Sequence, residues 1–263
     1  MLPFAVAETL RGGSSPIHRL DPRVKLIAAL AFVFTVAILP HESWLPYGLL
    51  CLASVGIAWR SGLGAGYALQ RSFVALPFAL AAITLPFTMP GPPLVEVGSL
   101  TMSVPGTLRF LSVMLKAWVS VQIAVLLAAT TAFPDLLVAL RALRVPPPLL
   151  SIVAFMHRYL FVLADEALRL RRARSARSGE GNRKSGGGLV WRGKVAGAMV
   201  GQLALRAFER SERVYGAMLS RGFQGELRTP TPPSITDLDR YALVGWVSFL
   251  AMSALIGFIF AGG

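Results

Sequence analysis

Apolar residues in this chain gather into a few long, nearly uninterrupted blocks instead of alternating with polar ones. The first block covers residues 24–39 and is stopped by Pro40; the second covers 44–59 and is stopped by Arg60 and a glycine-rich turn. A third extends from about Phe73 to Met89 with Pro77 and Pro86 inside it, a fourth from about Leu108 to Thr131, and a last from Tyr241 to Phe260. A helix needs roughly 20 apolar residues to cross a bilayer, so the pattern predicts five spans, the first two near the short limit. Prolines are tolerated where neighbouring helices satisfy the freed carbonyls, so the third span is expected to kink and not break. Its turn-rich exit, residues 90–106, holds a short alternating stretch from Leu94 to Val104 that predicts a small hairpin or an interfacial segment.

The stretch between the fourth and fifth spans is helical in period. Pro146, Pro147 and Pro148 start a helix sharply; residues 149–163 are apolar enough to lie in or under the membrane, and the same helix turns basic over 164–177. A segment rich in Gly, Ser, Arg and Lys, residues 178–188, ends it as a flexible link. A second helix follows over about 195–221. Leu205, Phe208, Glu212, Tyr215 and Leu219 make one face of it, and Glu209 stands four residues before Arg213, the spacing of a helical ion pair. The expected architecture is an all-α polytopic membrane protein of about five transmembrane helices with two long cytoplasmic helices. It divides into a membrane region, 1–132, a basic juxtamembrane region, 133–240, and a terminal span, 241–263.

Composition sharpens this reading. Of 263 residues 54% are hydrophobic and only 15% charged, too apolar for an ordinary soluble domain. The net charge of +13 is unevenly placed: 18 of the 26 Lys and Arg lie in 133–240. The connections 40–46 and 90–106 and the tail after 260 carry none, whereas the N-terminal segment and the second connection do. Basic residues stay on the cytoplasmic side, so the N-terminus and residues 133–240 are expected in the cytoplasm and the C-terminus outside. Basic charge beside a membrane meets anionic headgroups or an acidic partner; no nucleic-acid motif accompanies it, so nucleic acid is not an expected partner. The single Cys51 lies in an apolar run and excludes a disulfide or thiolate framework. The mixed N-terminal residues show no apolar core of a cleavable signal peptide.

Both basic helices end in an arginine followed by small residues. One ends at Ala176-Arg177-Ser178 with Gly179 behind it, the other at Ser220-Arg221-Gly222. Glycine at this place can take the left-handed conformation that stops a helix, leaving the arginine at the tip. Two such tips suit docking into acidic sockets, because guanidinium makes forked hydrogen bonds with carboxylates; ordinary helix capping is the plainer reading.

Three stretches resemble a known family, in order and in spacing: SPIHRLDPRVKL from Ser15, TTAFPDLLVALRALRVPPPLLSIVAFMHRYLFVLADEALRLRRARSARSG from Thr130, and RAFERSERVYGAMLSRGFQGELR from Arg206. They are similar to the transmembrane T component of energy-coupling factor importers, and most similar to its cobalt-type branch, CbiQ. The resemblance implies a non-catalytic scaffold and coupling subunit. Its partners would be two ATP-binding-cassette ATPases (CbiO-like) and a substrate-binding membrane subunit (CbiM-like, with a small CbiN-like subunit as a further candidate) in a bacterial inner membrane. ATP and Mg would be bound by the ATPases and no cofactor by this chain. Cobalt is the implied substrate, nickel the near alternative, vitamins further off.

The family's two Ala-Arg-Gly coupling motifs fall on Ala176, Arg177 and Ser178, and on Ser220, Arg221 and Gly222. Ser178 replaces the usual Gly and Ser220 the usual Ala, and Ala173-Arg174-Ser175 is a second register for the first motif. Asp21-Pro22-Arg23 reads as a polar cap where the first span enters the membrane. Lys116, inside the fourth span, is a functional candidate by depth, with snorkelling or contact to another helix the expected outcome. His41-Glu42 offers two ligands without a third, too few for a metal site. Residues 178–185 imitate a phosphate-binding loop but lack its glycines and follow a helix, so ATP is expected on a partner. A self-sufficient secondary transporter or channel is the alternative, yet the spans hold no acid and show no repeat. A membrane enzyme would need clustered His, Asp, Glu or Cys, which three scattered histidines do not supply.

Overall fold

A computed structural model describes residues 15–177, 188–225 and 235–261, apart from 42, 76, 78–80 and 98–99. The expected link 178–188 and the imitation phosphate loop therefore lie almost wholly outside the described residues, as do Ser178, Gly179 and Glu42. The chain forms two compact units, one drawn from Ala7–Ala142 and Pro232–Gly263, the other from Leu143–Thr231.

The first unit contains α1 (Pro16–Arg19), α2 (Pro22–Ile38), α3 (Trp44–Arg60), α4 (Ala65–Arg71), a 3-10 turn (Ser72–Ala75), α5 (Leu85–Thr88), strands β1 (Pro93–Val97) and β2 (Leu100–Ser103), α6 (Val104–Thr130), α7 (Phe133–Ala142) and α10 (Asp237–Ala261). Helices α2, α3, α6 and α10 meet in a buried apolar core of Phe32, Val36, Tyr47, Leu50, Val119, Leu126 and Leu250. Trp246 of α10 stacks on Phe32 at 5.9 Å and donates its indole N–H to the Ala28 carbonyl at 3.1 Å. One polar pair sits inside this core, the Ser54 hydroxyl donating to Gln122 Oε1 at 2.5 Å. It ties α3 to α6 across the core, while the Gln122 amide nitrogen is buried with no partner among the described residues.

The third span is a correction to the sequence reading. In place of one continuous kinked helix, the described residues give the 3-10 turn, helical residues at Pro77, Ala81 and Ala82, a turn at Ile83–Thr84 and the short α5. Pro86 occupies the first turn of α5, where its missing N–H is not needed; it starts a new helix instead of bending an old one. The chain then forms the antiparallel hairpin β1–β2. Three described helices are long and apolar enough to cross a membrane, within α6, α8 (Pro147–Arg177) and α10. Helices α2 and α3 have 17 residues each, about 25 Å at the helical rise.

The second unit is the helix pair α8 and α9 (Leu189–Leu219). Phe155 meets Phe223 edge to face at 6.5 Å, Glu166 pairs with Arg206 at 2.5 Å, and the Arg174 guanidinium lies over Trp191 at 5.7 Å. As residue numbers rise along α8 they fall along its partner, so the two run antiparallel. Helix α9 begins at Leu189, with Gly188 as its N-cap and six residues ahead of the expected start, because Leu189, Val190 and Trp191 continue the helix. The face of Leu205, Phe208, Tyr215 and Leu219 is the exposed one. The more covered stripe is Leu203, Ala207, Arg210, Val214 and Met218, of which all but Leu203 line a cleft against Phe155, Tyr159 and Leu163 of α8. The Glu209–Arg213 pair forms at 4.0 Å on an open surface, where it adds little.

At Gly106 a β-carbon would stand 2.6 Å from the Leu85 carbonyl oxygen and 2.9 Å from Pro86 Cα. Because backbone, not a flexible side chain, blocks the space, Gly106→Ala is expected to cost about 1–3 kcal/mol, seen as a lower melting temperature in detergent. Gly48→Ala, where the added methyl meets open space, is expected to leave the melting temperature nearly unchanged.

Candidate functional site

Two regions collect the residues singled out in the sequence: the entry of the first helix and the tips of α8 and α9.

At the entry, Ser15 caps α1 and its hydroxyl lies 2.7 Å from His18 Nδ1. Asp21 caps α2, its Oδ1 accepting the Arg23 N–H at 2.8 Å, with Pro22 in the first turn. Arg23 stays near the same carboxylate, 3.9 Å away. The Asp21 N–H in turn donates to Oδ1 of the buried Asp239 at 3.2 Å, and Asp239 Oδ2 accepts both the N–H and the hydroxyl of Thr236. Lys25 donates to the carbonyls of His18 at 3.0 Å and Thr130 at 3.1 Å. The entry signature is thus a knot binding the start of α2 to the start of α10 and the end of α6. Burial and the neighbouring Lys25 ammonium hold the His18 pKa below its ordinary value.

Lys116 donates to the carbonyls of Ala37 at 3.1 Å and Leu39 at 2.6 Å. It closes the end of α2, where the last carbonyls have no partner within the helix and a cation is favoured by the dipole. His41 Nδ1 lies 3.1 Å from the Ser112 hydroxyl. Among the described residues no three His, Cys, Asp or Glu are grouped to hold a metal.

The two tips differ. Helix α8 ends on exposed Ala176 and Arg177. Of the other register, Ala173 is exposed, Arg174 is half-buried over Trp191, and the Ser175 hydroxyl donates to the Arg172 carbonyl at 2.8 Å. Helix α9 closes through a complete glycine stop. Gly222 has φ +77°, its N–H donates to the Leu219 carbonyl at 2.9 Å, and the Phe223 N–H reaches back to the Met218 carbonyl at 3.0 Å. Ser220 and Arg221 are exposed on this turn, and Phe223 pins it to Phe155 of α8.

Sequence reasoning did not single out Asp239, Glu166 or Arg206. Asp239 sits one turn outside the last apolar block, and Thr236-x-x-Asp239 was the available capping signal. The partner of Arg206 is 40 residues away and has no local signature.

Fold and site together define a multi-pass membrane protein that carries a basic pair of long helices. The profile of the cobalt transport protein family CbiQ matches residues 13–231. The chain is 28% identical over 260 residues to the energy-coupling factor transporter transmembrane protein EcfT of Leuconostoc gelidum, covering 94% of this chain and 91% of the relative. It is 29% identical over 219 residues to the cobalt transport protein CbiQ of Rhodobacter capsulatus, with 81% and 83% covered, and 26% identical to EcfT of Bacillus subtilis, with 94% and 95% covered. The chain belongs to the CbiQ family, the T components of energy-coupling factor transporters.

Asp239→Ala leaves the Asp21 and Thr236 donors without their acceptor and is expected to cost about 2–3 kcal/mol, read as thermal unfolding of the purified chain. A second expectation concerns pH. Because folded His18 binds its proton more weakly than the unfolded chain does, its contribution is present above about pH 6.5 and lost as pH falls below it. The melting temperature should decline across that window, and His18→Gln should flatten the decline.

Proposed function

We propose that this chain is the scaffold and coupling subunit of an energy-coupling factor importer. It transmits the ATP-driven motion of two cytoplasmic ATPases to a substrate-binding membrane subunit. The observation that carries this reading is the placement of the two arginines. Arg177 and Arg221 are exposed at the ends of two 31-residue helices that run antiparallel, which sets them toward opposite ends of the pair, about 33 Å apart by helical rise from Phe155, beside the second tip, to Arg177. Two tips so far apart suit two separate sockets, one on each ATPase. Each guanidinium can make forked bonds with a carboxylate there.

Arg174 is already engaged with Trp191, which favours the register Ala176, Arg177 and Ser178 over Ala173, Arg174 and Ser175. The second tip is Ser220, Arg221 and Gly222. Closure of the ATPases on ATP and Mg would shift the tips as rigid bodies, with the differential energy supplied by ATP bound to the partners and no catalytic step on this chain. In this reading the N-terminus and the basic helices face the cytoplasm of a bacterial inner membrane and the C-terminus lies outside, following the positive-inside bias. Cobalt is the favoured substrate, since the matched profile and the Rhodobacter relative are both named for cobalt transport; nickel is the alternative.

The test is substrate uptake by vesicles carrying the whole complex, with co-purification of the ATPases. Arg177→Ala and Arg221→Ala are each expected to lower uptake about tenfold or more and to loosen the ATPases, with Arg174→Ala far milder. Wild-type uptake and retention in the Arg177/Arg221 double variant would reject the reading.

A further inference from the structure

We infer that the end of the helix pair formed by the last turns of α8 and the first turns of α9 is an anchor on an anionic bilayer surface. It is held there by the Leu189-Val190-Trp191 wedge and a surrounding basic collar. This goes beyond the coupling role and requires only that the chain lives in a membrane.

Leu189 is 89% exposed and Val190 87%, and half of Trp191 is exposed. These three apolar residues open α9 consecutively, and successive helical residues point about 100° apart. They therefore fan around the start of the helix instead of forming one stripe. A protein socket covers one face of a helix; a fluid interface wets a protruding end from every side. Trp beside Leu and Val, with Lys and Arg close by, is the composition that settles at the boundary between headgroups and acyl chains.

The collar supplies the choice of lipid. Arg171, Arg172 and Arg177 of α8 and Arg192 and Lys194 of α9 are exposed. Arg174 stacks on the Trp191 ring from the other helix, tying collar to wedge. Residues 167–208 carry ten Lys and Arg against one acid, Glu180, which lies outside the described residues; Glu166, just before them, is paired with Arg206. An end with so large an excess of basic residues is drawn to anionic headgroups, each adding about 1 kcal/mol near the surface. The occupant is thus a bilayer containing anionic phospholipid.

The full chain in vesicles tests this through Trp191 emission, obtained by subtracting the signal of a Trp191→Phe chain. The vesicles carry brominated acyl chains, with phosphatidylcholine alone or mixed with phosphatidylglycerol. We expect Trp191 to be quenched in the anionic vesicles without any ATPase present, and quenched less in the neutral ones. Leu189→Ser with Val190→Ser should remove most of that quenching, as should Arg171→Gln with Arg172→Gln, a pair that leaves the wedge and both tips intact. An unquenched Trp191 in anionic vesicles overturns the anchor, and so does emission that responds only to added ATPases, which would make this end a protein contact. Uptake is a separate readout, so loss of the anchor is distinguishable from loss of tip docking.

Discussion

A helix that ends at or inside a bilayer leaves backbone groups that no water can reach, and this molecule devotes its polar side chains to those ends. Asp21 takes the first N–H of α2, that of Arg23, Lys116 the last carbonyls of the same helix, Lys25 the terminal carbonyl of α6, and Asp239 the approach to α10. Neutral groups do the same work on a smaller scale. Ser103 receives the Gly106 N–H, the Tyr47 hydroxyl donates to the Pro40 carbonyl, and Ser43 donates to the Gly257 carbonyl. In a medium where each unsatisfied group costs several kcal/mol, these bonds decide where a helix may stop. The apolar core of Phe32, Tyr47 and Trp246 then fills the space between helices whose lengths are already set.

The helix pair α8–α9 obeys a different logic. Both helices are long and largely exposed, and among the described residues the bonds named between them are an aromatic contact near one end, an ion pair in the middle and a cation on a ring at the other. Such an arrangement keeps each helix stiff along its own axis while leaving little apolar burial to fix one against the other. Stiff rods joined at a few points suit transmission of a push from a tip, and sparse contacts mark a region of low local stability.

Much of the fold was legible in the sequence because apolar blocks and proline stops are local signals. The limits of α2, α3, α6 and α10 fall within a few residues of the hydropathy edges. The third block misled for a physical reason: Pro86 sits where a new helix can begin, and composition alone does not distinguish a start from a kink. In α9, a face reading Leu205, Phe208, Tyr215 and Leu219 is apolar yet open, while the covered stripe includes Arg210 and Ala207; a hydrophobic stripe does not say which surface meets it. The tips were visible as arginine and glycine spacing, and the glycine stop at Gly222 is a backbone property of the residue itself. The knot at the entry was only half visible. Asp21 and Pro22 form a local cap, whereas Asp239 and the Thr130 carbonyl arrive from distant parts of the chain.

The unlike ends of the helix pair also bear on symmetry. One tip is locked by a glycine-dependent turn braced on Phe155, and the other belongs to a basic helix end beside an apolar wedge. An object with such ends has no two-fold axis, so two identical ATPase subunits docked as proposed would meet chemically different handles. In the proposed assembly, a pair that is equal when free would become a left and a right once bound, and any stroke the two made together would reach this chain with a built-in direction.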